Sequence, residues 1–518
     1  MNRKEMLRKL SMGDSYDFIV IGGGSTGIGI ALEAAARDYS VLLLEKADFA
    51  KSTSSKSTKL VHGGVRYLAQ GEIGLVREAV RERGYLIRNA PHLVKNQCFI
   101  IPANSFWEHI KYTIGLVFYD LLAGGLSLGN SRRISRSESL RRLPALEPKR
   151  VKAGTAYHDG QFDDTRLAIN ALQTAATLGA VVLNYCEVTA LSKDERGQVN
   201  GLVFIDQETG ISHKVRGEQV VNATGVFADT ILAMDNPSAA SIIAPSQGIH
   251  IVLDRKFFPG KEAVMVPKTT DGRVLFLIPW HHRILVGTTD TPVKNTTLEP
   301  VALEEEIDFI LHTLSNYLIN PPKRSDVLSV FAGLRPLAVS KEKGRKTKEI
   351  SRSHKIITAP SGLLTIIGGK WTTFRKMGQD LVDKTEKKRK WNPTSSNTKQ
   401  LKLQGYQQKT DRNDPLSFYG SDKEPLLDLA RELSMDQALS DLLPVISAQV
   451  VWAVRHEMAR TVEDFLARRT RCQLLDARES IRMAPKVAEI MARELQKDLS
   501  WQERQIASYK EVTLHYIL

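Results

Sequence analysis

The sequence predicts a mixed α/β and α+β chain with three parts: a Rossmann-like dinucleotide-binding domain, an antiparallel-sheet domain and a C-terminal helical domain. Three observations carry this. The apolar strand Tyr16 to Ile21 runs into glycines spaced G-x-G-x-x-G at Gly22, Gly24 and Gly27. Short runs of alternating apolar and polar residues recur from 240 to about 345. From 416 onward the pattern is mainly helical.

The first strand opens the dinucleotide fingerprint. Gly22 permits a tight turn, Gly24 has no side chain to hold a pyrophosphate off the backbone, and Gly27 lets helix and strand pack closely. A small-residue helix through Ala31 and Ala36 follows, and its N-terminus would face the phosphates. The second strand, Val41 to Leu44, ends on Glu45, where an acid can bind a ribose hydroxyl. Next come the hydroxyl-rich run Lys51 to Lys59 and the segment Leu60 to Leu68, with paired glycines at Gly63 and Gly64. Such a stretch suits a backbone held close to a flat ring and its diphosphate, which favours a flavin.

Further along, Leu167 to Leu178 reads as a helix, then come the strand Ala180 to Leu183 and a turn through Tyr185, Cys186, Glu187 and Val188. Val199 to Ile205 and Ser212 to Val215 form a hairpin-like pair, and Val220 to Ala223 reads as another strand of the first sheet. Leu363 to Ile367 re-enters that sheet, and a helix through Phe374 and Met377 follows Gly369 and Lys370. The domains are therefore discontinuous: 15–90, 150–235 and 346–384 for the dinucleotide domain, 91–149 and 236–345 for the second domain, 385–415 as a polar linker, and 416–518 for the helical domain.

The formal charge of +14 over 518 residues calls for an anionic substrate, an anionic lipid surface or a solubility role. No nucleic-acid motif accompanies the basic clusters, which argues against that partner. Three widely separated cysteines, Cys98, Cys186 and Cys472, fit a reducing compartment and no disulfide framework. His281 and His282 would point to opposite faces of a strand, so no metal site is expected there. No stretch reaches the roughly 20 apolar residues a bilayer requires. Residues from Phe106 to Leu122 have helical apolar spacing; the preferred reading is a core-facing helix, the other a helix lying in a membrane surface.

The chain resembles the FAD-dependent glycerol-3-phosphate dehydrogenases of the D-amino-acid-oxidase-like flavoproteins. The resemblance rests on Gly22 to Gly27, Leu60 to Leu68, Val220 to Gly225, Pro245 to His250, Ile278 to Trp280, Val286 to Asp290, Ala332 to Leu337, Ile367 to Arg375 and Val454 to Asp464. It implies non-covalent FAD held by Gly22, Gly24, Gly27, Glu45, Lys46, Ser55, Ser57, Lys59, Leu60, His62, Gly63, Gly64, Val188, Gly225, Gly369, Lys370, Trp371 and Thr372. His250 lies on a strand beside Gly248, where a ring could approach closely, and is the leading candidate for polarising or deprotonating the substrate alcohol. Arg335 offers a planar fork for phosphate, supported by Arg66, Tyr67, Arg352 and Lys370.

The expected reaction is oxidation of sn-glycerol 3-phosphate to dihydroxyacetone phosphate, with electrons passed to membrane quinone. The enzyme would sit in the cytoplasm, peripheral on the inner face of the cytoplasmic membrane. Alternatives are a glycerol-3-phosphate oxidase that releases peroxide, an amine or amino-acid oxidase in which Arg335 binds carboxylate, and a non-catalytic redox sensor. No calcium loop of the D-x-[DN]-x-[DN]-G type is present. Oligomeric state, a homodimer included, stays open.

Overall fold

The computed structural model describes residues 1–13, 15–68, 71–267, 269, 272–339 and 353–518. Among them, an eight-stranded sheet carries the fingerprint. Ser15–Ile21 lies at its centre, parallel to Val41–Leu44 on one side and to Ser212–Asn222 on the other. The chain therefore reverses direction of travel across the sheet at Ser15–Ile21, which opens a crevice at the strands' C-terminal ends. Ser15–Ile21, past its first residues, and Val41–Leu44 are buried on both faces and read as nearly unbroken apolar runs.

Ser212–Asn222 is one long strand where the sequence suggests two. Its first half pairs antiparallel with Val199–Asp206 and its second half parallel with Ser15–Ile21. Polar alternation in the first half suits a half-exposed hairpin, and the apolar second half suits the core. The expected turn at 185–188 is instead the start of strand Cys186–Lys193.

A ten-stranded sheet forms the second layer among the described residues. It takes Leu60–Val61 and Ala153–Phe162, both inside stretches the sequence assigns to the dinucleotide domain. Ala153–Phe162 goes there because it pairs along its whole length with Val94–Ala103. His281 and His282 form the tip of the hairpin between Leu275–Trp280 and Arg283–Gly287, with φ of 43° and 59°, so they are turn residues rather than strand residues.

The polar stretch 385–415 is not a free linker. The helix Phe374–Arg389 runs into it, and Trp391 stacks on Tyr39 with ring centroids 5.2 Å apart. The helical region beyond is bolted to the fingerprint. Asp48, fully buried, receives hydrogen bonds from Arg468 and Arg469, with Arg469 at 2.7 and 2.9 Å.

The helix Phe106–Ala123 corrects the core-facing expectation. Leu116, Tyr119 and Ala123 are buried, but Trp107, Ile114 and Leu121 are 77%, 66% and 71% exposed. Apolar residues occupy both faces, so spacing alone could not distinguish them. No helix among the described residues is long and apolar enough to cross a membrane.

Candidate active site between the two sheets

A long cavity runs from the C-terminal ends of the fingerprint strands to the face of the second sheet. Gly22 begins it, at φ 111°, where an added Cβ would stand 2.7 Å from the Ala223 carbonyl oxygen. Gly24 is the cap of helix Ser25–Ala35 and has no side-chain cap bond, so the helix's first amides face the cavity, apart from the Ser25 N–H bonded to Ser54 Oγ at 2.9 Å. Gly27 faces the strand: its Cβ would lie 1.9 Å from the Gly22 carbonyl oxygen, so its role is close packing. Glu45 accepts from the Gly23 N–H at 2.7 Å and the Ala47 N–H at 2.9 Å, which fixes its carboxylate at the strand end. Burial raises its pKa against these two bonds.

Most of the expected cofactor residues line this cavity: Lys46, Ser57, Leu60, His62 and Gly64 near the start, Val188 on strand Cys186–Lys193, Gly225 in the turn after strand Ser212–Asn222, and Gly369 to Thr372 opposite. The two walls are tied together. Trp371 Nε1 donates to the Ser54 carbonyl at 2.8 Å, and the His62 N–H to Thr372 Oγ1 at 3.1 Å. Besides Gly27, three expected cofactor residues do not reach the lining. Lys59 is fully buried with its ammonium on Asp164, at 2.7 and 2.9 Å, so it is an internal ion pair. Ser55 turns its hydroxyl back onto the Lys51 and Ser52 carbonyls. Gly63 packs under Tyr119, whose hydroxyl accepts its N–H at 2.8 Å.

At the far end, His250 stands on strand Ile243–Asp254, 2% exposed and stacked on Phe331 with centroids 5.0 Å apart. Its Nε2 lies 2.9 Å from Thr58 Oγ1, a contact the sequence did not single out although Thr58 stands in the quoted hydroxyl run. Its pKa is held well below the usual imidazole range by burial, then by the charges of Arg335 and Lys59. The ring is therefore neutral at neutral pH.

A Cβ added at Gly248 would lie 2.3 Å from an Arg335 terminal nitrogen, so Gly248 makes room for the guanidinium. Arg335, opposite Ser246 on the neighbouring strand, donates from one terminal nitrogen to the Gln247 carbonyl and Asp290, and from the other to Thr288 Oγ1 and the Thr289 carbonyl. Both terminal nitrogens of the fork are thus engaged by the protein. Lys370 Nζ lies 4.0 Å from the Tyr67 ring centroid, within cation–π range. Arg66 sits in helix Val65–Leu68, and Arg352 lies outside the described residues.

A cavity with a helix N-terminus that lacks a side-chain cap, a glycine floor and a strand-end acid fits a dinucleotide cofactor. The comparisons with known proteins agree. Residues 17–375 match the family of FAD dependent oxidoreductases, and residues 364–505 match the C-terminal domain of alpha-glycerophosphate oxidase. The mitochondrial glycerol-3-phosphate dehydrogenase of Schizosaccharomyces pombe is 36% identical, across 95% of this chain and 86% of its own. The mitochondrial enzyme of that name from Arabidopsis thaliana is 38% identical, across 96% and 86%. The structure of a glycerol-3-phosphate dehydrogenase from Bacillus halodurans complexed with FAD superposes with a TM-score of 0.81, at 27% identity, covering 99% of this chain and 98% of that one.

Proposed function

We propose, on the premise that this chain belongs to the FAD-dependent glycerol-3-phosphate dehydrogenase family, that it oxidises sn-glycerol 3-phosphate to dihydroxyacetone phosphate and delivers the electrons to a membrane quinone. The observation that carries the reading is the neutral, buried His250 beside the fixed cation of Arg335 at the cavity's end. FAD, when bound, supplies the hydride acceptor.

Gly22, Gly24 and the amides at the start of Ser25–Ala35 would hold its pyrophosphate, and Glu45 a ribose hydroxyl. The amides near Trp371 and Thr372 would face its ring. His250 takes the proton of the substrate's secondary alcohol. Arg335 would stabilise negative charge developing on that oxygen. Since its terminal nitrogens already make four hydrogen bonds, phosphate recognition passes largely to Lys370, Arg66 and Arg352. Anaerobic titration of the yellow protein with glycerol 3-phosphate, lactate and glycine tests this: only the first should bleach the flavin, and bleaching by glycine alone would overturn it. Acid precipitation should leave yellow FAD in the supernatant, because the cofactor is held without a covalent bond; colour kept in the pellet would point to His62.

The match to an oxidase's C-terminal domain supports a second reading of the electron acceptor. Peroxide formed in air at the rate of quinone-analogue reduction would favour oxygen.

The exposed apolar row Trp107, Ile114 and Leu121, one heptad apart, supports peripheral binding to an anionic lipid surface, on the inner face of the cytoplasmic membrane. Arg132, Arg133 and Arg136 are exposed on and beside the strand packed against that helix, giving the charge such a surface attracts.

A further inference from the structure

We infer that Glu306 is a positioning residue for Arg335, acting through the loop after strand Arg283–Gly287 and through Gln247. The inference rests on the reading of the site given above.

Glu306 lies in the first turn of helix Glu304–Tyr317, outside the cavity lining, and is 4% exposed. Among the described residues it forms no ion pair. A buried carboxylate without a cation is costly unless hydrogen bonds replace its water. Four do so here. Thr289 and Thr291 donate their hydroxyls to Oε1 at 2.6 and 2.7 Å, while Gln247 Nε2 donates to Oε2 at 2.8 Å and the Leu303 N–H at 3.2 Å.

Two of these four partners turn their backbone toward the site. The Thr289 carbonyl accepts from Arg335 at 2.8 Å, and the Gln247 carbonyl at 3.2 Å. The Thr289 hydroxyl is also fixed from behind, accepting the Ile249 N–H at 3.0 Å, one residue before His250. One carboxylate therefore grips both segments whose carbonyls aim the guanidinium. Removing it frees the loop to rotate, and Arg335 follows the carbonyls. Geometry held by such a supporting layer decides whether a catalytic charge is in place or an ångström away from it.

The test is a double-mutant cycle on the FAD-loaded enzyme, with flavin reduction by glycerol 3-phosphate followed in stopped flow. Glu306→Gln keeps the side chain's shape but removes its charge and its capacity to accept all four bonds. It should slow reduction about tenfold at full FAD content. In an Arg335→Lys background the same change should add less than about twofold, because the group it aims is already gone. A structural role would instead multiply the two losses.

Thr291→Val removes one bond to the carboxylate without touching Arg335 and serves if Glu306→Gln loses FAD. It should slow reduction about threefold, and this effect too should vanish beside Arg335→Lys. Wild-type reduction in both the Glu306 and Thr291 variants, or full multiplication in the double variants, overturns the inference. If Arg335→Lys alone reduces at the wild-type rate, the site reading fails and takes this inference with it.

Discussion

His250 and Gly287 face each other across neighbouring antiparallel strands, and the imidazole occupies the space a side chain at 287 would fill: an added Cβ would lie 2.2 Å from His250 Cδ2. Phe331 stacks against the ring, so it has little freedom to retreat. Gly287→Ala should therefore displace the base without removing it. A shift of about 1 Å costs roughly a hundredfold in rate. His250→Ala, which removes the base, should cost about two to four decades. Both variants should bind FAD normally, since neither position belongs to the fingerprint. Stopped-flow reduction checks the order, and a Gly287→Ala enzyme as fast as wild type would show that the ring's position does not matter.

The pH dependence follows from the same residue. An ordinary imidazole titrates near 6.5. His250 lies well below that through burial and through the charges of Arg335 and Lys59, with the neutral Thr58 hydroxyl at Nε2. The acid limb of flavin reduction should thus fall well below pH 6.5 in the wild type. Arg335→Gln removes a positive neighbour and should move that limb upward. Stability has the same sign: the unfolded chain binds the proton more readily, so His250's contribution is present above about pH 6.5 and fades as the pH drops below it. Rapid kinetics over a range of pH tests the limb. An unchanged limb in Arg335→Gln would mean that Arg335 does not tune His250.

The fingerprint was legible because its physics is local: one strand, one turn and one helix carry the glycines, and Glu45 follows at the end of the next strand. The site beyond it was only partly legible. His250 and Arg335 stood out by type and motif, but what sets them did not. Lys59 reads as a cofactor cation until Asp164, 105 residues away, is found holding it. Gly248 reads as a point of close approach for a ring and Gly287 as an ordinary strand glycine, and only the strand register shows that the first makes room for a guanidinium and the second for an imidazole. Glu306 gives no local signal, since its partners lie in three separate segments. The helix Phe106–Ala123 was misread because apolar spacing records what could be buried, not which face finds a neighbour.

That helix makes the membrane reading testable. Ile114→Glu with Leu121→Glu places two charges on the exposed face and leaves the buried Leu116 and Tyr119 untouched. Wild-type protein should co-sediment with anionic vesicles, less so as salt rises, because surface attraction is screened over about 10 Å at 0.1 M. The double variant should stay in the supernatant while reducing a soluble dye at the normal rate. Undiminished sedimentation of that variant would assign the contact to another surface.

The last prediction concerns the bolt between the fingerprint and the C-terminal helices. Asp48 is fully buried, and its carboxyl is held far below the ordinary range because Arg469 and Arg468 outweigh the cost of burial. Next to it, Phe49 packs on Gly23, where an added Cβ would lie 2.8 Å from Phe49 Cδ1, so the pair bears directly on the phosphate-binding turn. Asp48→Asn leaves Arg469 with Glu457 4.0 Å away as its remaining ion-pair partner among the described residues, while Arg468 keeps Glu463 and Asp464, and should destabilise the fold by about 3–5 kcal/mol. Since the folded carboxyl has the lower pKa, this stabilisation is complete above the unfolded value near 4 and is lost as pH falls below it. The wild type should thus lose melting temperature faster on acidification than the variant does. FAD release should accompany melting in both, at a lower temperature in the variant. Equal melting temperatures for the two proteins at neutral pH would show that the helical domain does not depend on this bolt.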